Sequence, residues 1–306
     1  MQQNGTLTDY SPASHETGSS WSILSSIELS IKRKIESVGK PLKDWDIKIY
    51  RGILTGCNEA FIIDGAKREE ILNKCRSAAE RERTDALIRP ILRGRDIKRY
   101  KAEWAGLYVI LAKFGSHHYL EKDYPAIFNH LLQYEDKLKS RGQVRYTSSK
   151  KVREGAEYPG QHHWLELDNN PCDKYLEDFL KQKIVWARLM RMAKSDIDNF
   201  PRFSTAESGI YVVDSLCFFT GKNIDKLCFV LNSEYAAYYF FGNVAVLDNG
   251  GFQMRQQYVE NIPIPDISKI CSEEDVYTAF SFTEEEKSYI KAVVARRKEE
   301  IVNGAE

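Results

Sequence analysis

Residues 183–220 contain four short runs, KIVWARL, RFSTA, GIYVV and CFFT, in which β-branched and aromatic residues alternate or follow one another directly. Runs of this length and composition predict strands, and several in succession predict a sheet. Shorter strands are predicted at 47–50, 60–64 and 106–112. The remaining segments keep a different period. Leu24, Ile27, Ile31, Ile35 and Val38 recur in steps of three and four, so a helix is predicted with Ser20 as its cap and Gly39 and Pro41 as its end. Residues 67–83 predict a charged helix with Ile71, Leu72, Cys75 and Ala79 on one face, and another short helix starting at Thr84 or Asp85. Pro125 suits a first helical position, opening a helix predicted to run through Lys139 and stop at Gly142. Asn223 predicts a cap for a helix carrying Leu227, Val230 and Leu231, with residues 235–241 helical after it. Residues 284–302 predict a lone charged helix with a thin stripe at Ile290, Val293, Val294 and Ile301, which suits packing along another helix. Helices and strands mixed along the chain give an α+β (mixed α/β) fold.

The chain has 306 residues, 42% hydrophobic and 29% charged, enough to bury a full core. Residues 1–20, rich in Ser, Thr, Gly and Asn, read as a linker or disordered end. The expected division is 1–20 as linker, 21–265 as the main domain and 266–306 as a C-terminal helical segment. No run of about 18 apolar residues predicts a membrane span, and no charged start followed by an apolar run predicts a secretory signal. The six cysteines (57, 75, 172, 217, 228 and 271) form no CxxC pair. Most sit in apolar surroundings, and they read as reduced core residues of a cytoplasmic protein.

Forty-four basic residues balance forty-four acidic ones, but they are unevenly spread. IRPILRGRDIKRY (88–100) has four arginines and a lysine against Asp96 alone. Residues 137–153 carry seven positive charges and no acid, and 181–194 carry five and no acid. Residues 266–306 hold ten acids against six bases. A basic middle and an acidic tail predict a basic face with an acidic far side, and guanidinium groups on loops suit phosphate. An internal charge network with Asp96 is the structural counterpart of that reading. The basic loop 140–160 is longer than a compact fold ordinarily carries without a function.

Catalytic motifs are missing. There is no GxxxxGK[ST] and no GxGxxG for phosphates. Asp46-Ile47-Lys48 and Glu135-Asp136-Lys137 match only the tail of a metal-dependent nuclease pattern. His117-His118 and His162-His163 are adjacent pairs, which on strands point to opposite faces and do not converge on a metal.

The ordered set RGILTGCNEAFIID (51–64), LIRPILRGRDIKRY (87–100), GLYVI (106–110), HHWLEL (162–167), KIVWARL (183–189), LCFVLNSEYAAYYF (227–240) and QYVENIPIP (257–265) resembles the TaqI-like C-terminal specificity domain. That family is the target-recognition part of type II restriction–modification enzymes with a fused adenine methyltransferase. The resemblance implies a non-catalytic, sequence-specific reader of double-stranded DNA. It needs no cofactor of its own, has no membrane partner, and works beside methyltransferase and endonuclease domains absent from this chain. The methyltransferase's Asn-Pro-Pro-aromatic loop is not met by Asn169-Asn170-Pro171-Cys172. Alternatives from other classes are an interaction module that grips nucleic acid without sequence choice or binds a protein in a phage-defence complex, and a remnant nuclease. With the resemblance, the candidate DNA-binding residues are Arg51, Thr55, Asn58, Arg93, Arg95, Lys98, Arg99, Gln143, Arg145, Ser148, Ser149, Lys150, Lys151, Arg188, Arg191, Gln253 and Arg255. Arg93, Arg95 and Arg99 are expected as rigid phosphate clamps or structural partners, and 143–151 as a loop that orders on DNA. Trp164 is expected either to face DNA or to fill the core.

Overall fold

The computed structural model describes residues 24–142, 144, 162–169, 171–192, 194–247 and 251–304. Helix α1 (Ser26–Val38) starts where Ser25 accepts the Glu28 amide and the Glu28 carboxylate accepts the Ser25 amide, a reciprocal cap. The predicted cap at Ser20 lies outside the described residues. After Gly39 come β1 (Lys40–Pro41) and β2 (Ile47–Arg51). The strand expected at 60–64 is only half strand. Helix α2 (Asn58–Phe61) takes its first residues, burying Ala60 and Phe61 completely, and β3 (Ile62–Asp64) is the remainder.

The helix expected over 67–83 is two helices. In α3 (Gly65–Asn73) the Asp64 side chain caps Lys67 N, and in α4 (Ala78–Leu87) the Ser77 hydroxyl caps Glu80 N. The Glu80 carboxylate also takes the Arg76 amide, so local side-chain acceptors break the run. No helix begins at Thr84 or Asp85, because α4 passes through both. Strands β4 (Ile88–Leu92), β5 (Tyr100–Lys101) and β6 (Leu107–Ile110) follow, then α5 (Leu120–Asp123). The helix expected from Pro125 to Lys139 is interrupted at Gln133 and Tyr134, giving α6 (Pro125–Leu132) and α7 (Glu135–Lys139). Beyond α8 (Asp173–Glu177) lie β7 (Lys183–Ala187), β8 (Met190–Arg191), β9 (Ser204–Ala206), β10 (Tyr211–Val212) and β11 (Leu216–Gly221). Asn223 precedes α9 (Ile224–Leu231) but caps nothing with its side chain; its φ is +56°. Ser233 caps α10 (Glu234–Asn243), and β12 (Gly251–Phe252), α11 (Gln256–Val259), β13 (Pro263–Ile264), α12 (Glu273–Ala279) and α13 (Glu284–Gly304) complete an α+β fold.

The predicted sheet is real and mixed. Five strands lie in the order β2-β11-β7-β9-β5, and a second sheet runs β10-β4-β6-β3. Along β7, Ile184 and Trp186 enter one core while Val185 enters another; along β11, Cys217 and Phe219 divide from Leu216 and Phe218 in the same way. A strand buried on both faces calls for apolar residues on both, which is why IVWA and LCFF run apolar; Lys183 at the start of β7 is buried too and donates to the Glu207 carbonyl. The first core also takes Ile31, Phe203, Leu227, Tyr235, Phe240, Tyr277 and Phe280. The second takes Phe61, Ile91, Val109, Leu131 and Trp164, so Trp164, 7% exposed, is a core residue.

Helix α13 is not lone. Ile290 and Val294 are buried in the first core, Tyr289 donates to Glu28, and buried Glu286 accepts from Ser30 and Lys34, each at 2.6 Å. Its thin stripe is sealed against α1 and α10 of its own chain.

Candidate nucleic-acid interface

In the five-stranded sheet Arg51 lies opposite Cys217, Leu216 opposite Ala187, Val185 opposite Ser204, and Ser204 opposite Tyr100. One end of the sheet therefore gathers Arg51 from the end of β2, the Asp214–Ser215 turn before β11, Arg188 after β7, and Lys98 and Arg99 before β5. The parallel β4–β10 pair sets Leu92 opposite Val212, and Val213 N donates to Leu92 O, so Arg93 emerges beside Asp214. Two of the three basic segments, 88–100 and 181–194, thus share one end of the sheet with Arg51.

Their cations are not equivalent. Arg51 donates from Nε to Asp214 O (3.0 Å) and from Nη2 to Asp214 Oδ2 (2.8 Å). Arg188 Nη1 reaches the same Asp214 carbonyl at 3.4 Å. Arg93 is tied to Asp96 through its amide (2.8 Å) and its guanidinium (3.5 Å), the internal network anticipated for that acid. Lys98 lies 3.9 Å from Glu103. Arg99 is spent internally: Nη2 donates to Asn232 O at the end of α9 (2.5 Å), where a cation also complements the helix dipole. Arg95 is exposed and has no partner among the described residues.

Arg191, Gln253 and Arg255 belong to a neighbouring ribbon, in which β8 pairs with β12. Trp186 Nε1 donates to Met254 O (2.8 Å), which fixes this ribbon to the central sheet near Arg188. Arg191 and Arg255 are exposed, and neither has a carboxylate partner among the described residues.

The remaining candidates cluster around a buried guanidinium. Arg141, 8% exposed, donates to Leu138 O, Thr55 O, Trp164 O, Glu166 O and Asp168 Oδ1 over 2.7–3.0 Å. Thr55 is 3% exposed and hydrogen-bonds Asn58, so it faces the core and not an open groove, while Asn58 is exposed. Val144 bridges to His162, bringing the two ends of segment 145–161 together beside Arg141. Gln143, Arg145, Ser148, Ser149, Lys150 and Lys151 lie outside the described residues. A cavity of about 320 Å³ joins this region to the sheet end, lined by Arg51, Gly52, Ile53, Leu54, Asp168, Asn169, Pro171, Cys172 and Tyr175.

The histidine pairs are not on strands as expected. His117 and His118 sit on a 3-10 turn, and the His117 ring stacks on His163 at 4.4 Å. Glu166, fully buried, accepts from Gly115 N (2.7 Å), His163 N (3.1 Å) and the His117 imidazole (2.5 Å). Burial, reinforced by His117, pushes His163 down to about 4. Among the described residues no three His, Cys, Asp or Glu side chains converge to hold a metal. The nuclease-like triplets are surface pairs: Asp46 meets Lys222 at 3.6 Å, and Lys137 binds Glu59.

Sequence reasoning missed Asp214, Arg141 and Tyr175. Asp214 had only its position in a turn between two apolar strands to mark it, Arg141 stood undistinguished in the 137–153 charge run, and Tyr175 gave no local signal.

The model of the TaqI-like C-terminal specificity domain matches residues 89–264, more than half of the chain, and the chain belongs to that family of specificity domains. Its role is DNA target recognition in restriction–modification. Among solved structures, the type IIG restriction endonuclease BpuSI aligns with a TM-score of 0.49 and 14% identity, over 91% of this chain and 33% of its own. The type IIL restriction–modification enzyme MmeI, in complex with DNA, aligns with a TM-score of 0.42 and 8% identity, over 86% of this chain and 36% of its own. This chain therefore spans about a third of the length of each. No curated protein matches it.

Proposed function

We propose that this chain reads double-stranded DNA across the end of its five-stranded sheet and leaves methyl transfer and cleavage to domains outside it. The observation that carries the reading is the register, which brings Arg51, Arg93, Arg95, Lys98 and Arg188 to one edge. Arg95, Arg191 and Arg255 are the exposed cations best placed to meet phosphate. Gln143, Arg145, Ser148, Ser149, Lys150 and Lys151 are the further candidates for contact with the same duplex. Phosphate contacts would supply affinity and orientation, and a smaller set of side chains would supply sequence choice.

This recognition role needs no cofactor, and the chain's own turnover is nil. An adenine methyltransferase in the same enzyme, acting in the cytoplasm as part of bacterial defence, fits the family. No described helix is long and apolar enough to cross a membrane. The test is binding to random and selected duplexes across a salt series. Affinity should fall with a log–log slope of about 0.9 per phosphate neutralised and should separate selected from random DNA. A flat salt response rejects DNA as the ligand; a steep response with no sequence preference favours the non-specific module. Calorimetric titration with S-adenosylmethionine should give no saturable heat.

A further inference from the structure

The Arg51–Asp214 pair differs in geometry from the other cations at the sheet end. Strand pairing holds Arg51 opposite Cys217, and Tyr175 OH donates to the Arg51 carbonyl at 2.7 Å. The next residue presses against the other sheet: a Cβ on Gly52 would come within 2.2 Å of the Val213 carbonyl oxygen. That close approach sets Arg51 beside Asp214, which takes the Nε and Nη2 edge of the guanidinium. The outer edge, Nη1 and the second Nη2 hydrogen, has no partner among the described residues, and the side chain is 45% exposed.

We infer that Arg51 reads the O6/N7 edge of a guanine and that Asp214 is the positioning residue that aims it. The inference rests on the DNA-binding reading above. A fixed guanidinium with two parallel donors free matches the paired acceptors of guanine in the major groove. A phosphate is the poorer partner, because the Asp214 carboxylate, 2.8 Å from Nη2, repels a full negative charge much more than the partial charges of a neutral base edge. The carboxylate thus removes the net charge that draws an arginine to the backbone and keeps the planar fork that recognises a base.

The experiment begins with selection of a preferred sequence from a randomised duplex library by the 306-residue chain. Affinities are then measured for that duplex and for a set in which each G·C pair in turn becomes A·T. Arg51→Ala should weaken the selected duplex about 10- to 100-fold, and the loss should vanish on the one duplex that lacks the guanine it reads. Arg51→Lys should keep random-duplex binding and lose the preference at that same pair. Asp214→Asn and Asp214→Ala should erode the same preference while random-duplex binding holds or rises, with a salt slope steeper by up to about one unit as the freed arginine turns to phosphate. Equal losses for Arg51→Ala on every duplex overturn the proposal, as does full preference in both Asp214 variants. Should either alanine variant fail to fold, Arg51→Lys and Asp214→Asn decide. No salt-dependent binding by the unsubstituted chain rejects the DNA interface altogether; uniform loss in the variants rejects this assignment alone.

Discussion

Arg141→Met is the sharpest test of how the candidate interface is built. The substitution keeps an unbranched stem and removes every donor of a guanidinium that is 8% exposed. Four carbonyls, of Thr55, Leu138, Trp164 and Glu166, lose their Arg141 donor, and Asp168, 7% exposed, loses its cation. Charge-assisted hydrogen bonds contribute roughly 1.5–3 kcal/mol each when taken singly. They share one side chain here and do not add, and burying the guanidinium has its own desolvation cost. Breaking a buried ion pair by removing one partner costs about 3–5 kcal/mol, and that is the expected loss. Equilibrium unfolding in urea measures it. At a slope near 3 kcal/mol per molar, the midpoint should drop by about 1–2 M. Asp168→Asn, alone and combined with Arg141→Met, closes a double-mutant cycle whose coupling should be about 1–3 kcal/mol. An Arg141→Met loss under about 1 kcal/mol, or no coupling, would show that water or neighbouring donors satisfy these groups, and would refute the view that Arg141 clamps the base of segment 145–161.

Burial pushes the fully buried Lys183 ammonium down to about 8 from an ordinary 10.5. Between those values the unfolded chain holds the extra proton, so stability should rise with pH there; the unsubstituted chain should gain about 3 kcal/mol relative to Lys183→Met from pH 8 to 10.5, and parallel pH curves would contradict this. Burial also pushes the Cys217 and Cys228 thiols up, to about 11 and about 12, whereas Cys172 and Cys271 are exposed; a thiol reagent at neutral pH should label the exposed pair and reach the buried pair only after denaturant is added. Deleting residues 281–306 should cost several kcal/mol or prevent folding, since Ile290 and Val294 leave the core and Ser30 and Lys34 lose Glu286; an unchanged melting curve would show that α13 adds nothing. Arg95→Ala should reduce the salt slope of DNA binding by about one unit without changing sequence preference, and a change in preference would move Arg95 from phosphate to base.

Elements that the core dictates were legible in the sequence. IVWA and LCFF are apolar at every position because both faces of β7 and β11 are covered, and no helix of that length accounts for four such runs in forty residues. Helices α1 and α13 were legible for the same reason, each showing its buried face as a period. Helix breaks were not. The interruptions at 74–77 and 133–134 depend on side-chain acceptors and on how short helices pack around Phe61 and Leu131, which a hydrophobic period does not encode.

The site divides along the same line. Charge runs announced the basic segments, because an uncompensated run has to face solvent or an anion. They did not announce which charges are free. Arg99 and Arg95 look alike in RGRDIKRY, yet one is bound to the end of α9 and the other is exposed. What separates them is the parallel β5–β9 pairing, which turns Arg99 inward toward Asn232. The same logic explains Asp214. A lone acid in a turn between two apolar strands shows nothing of its partner in the sequence, and only the register of β2, β11 and β4–β10 sets it against the side edge of Arg51. Non-local strand pairing therefore decides which arginines are structural, which can meet phosphate, and which one is aimed.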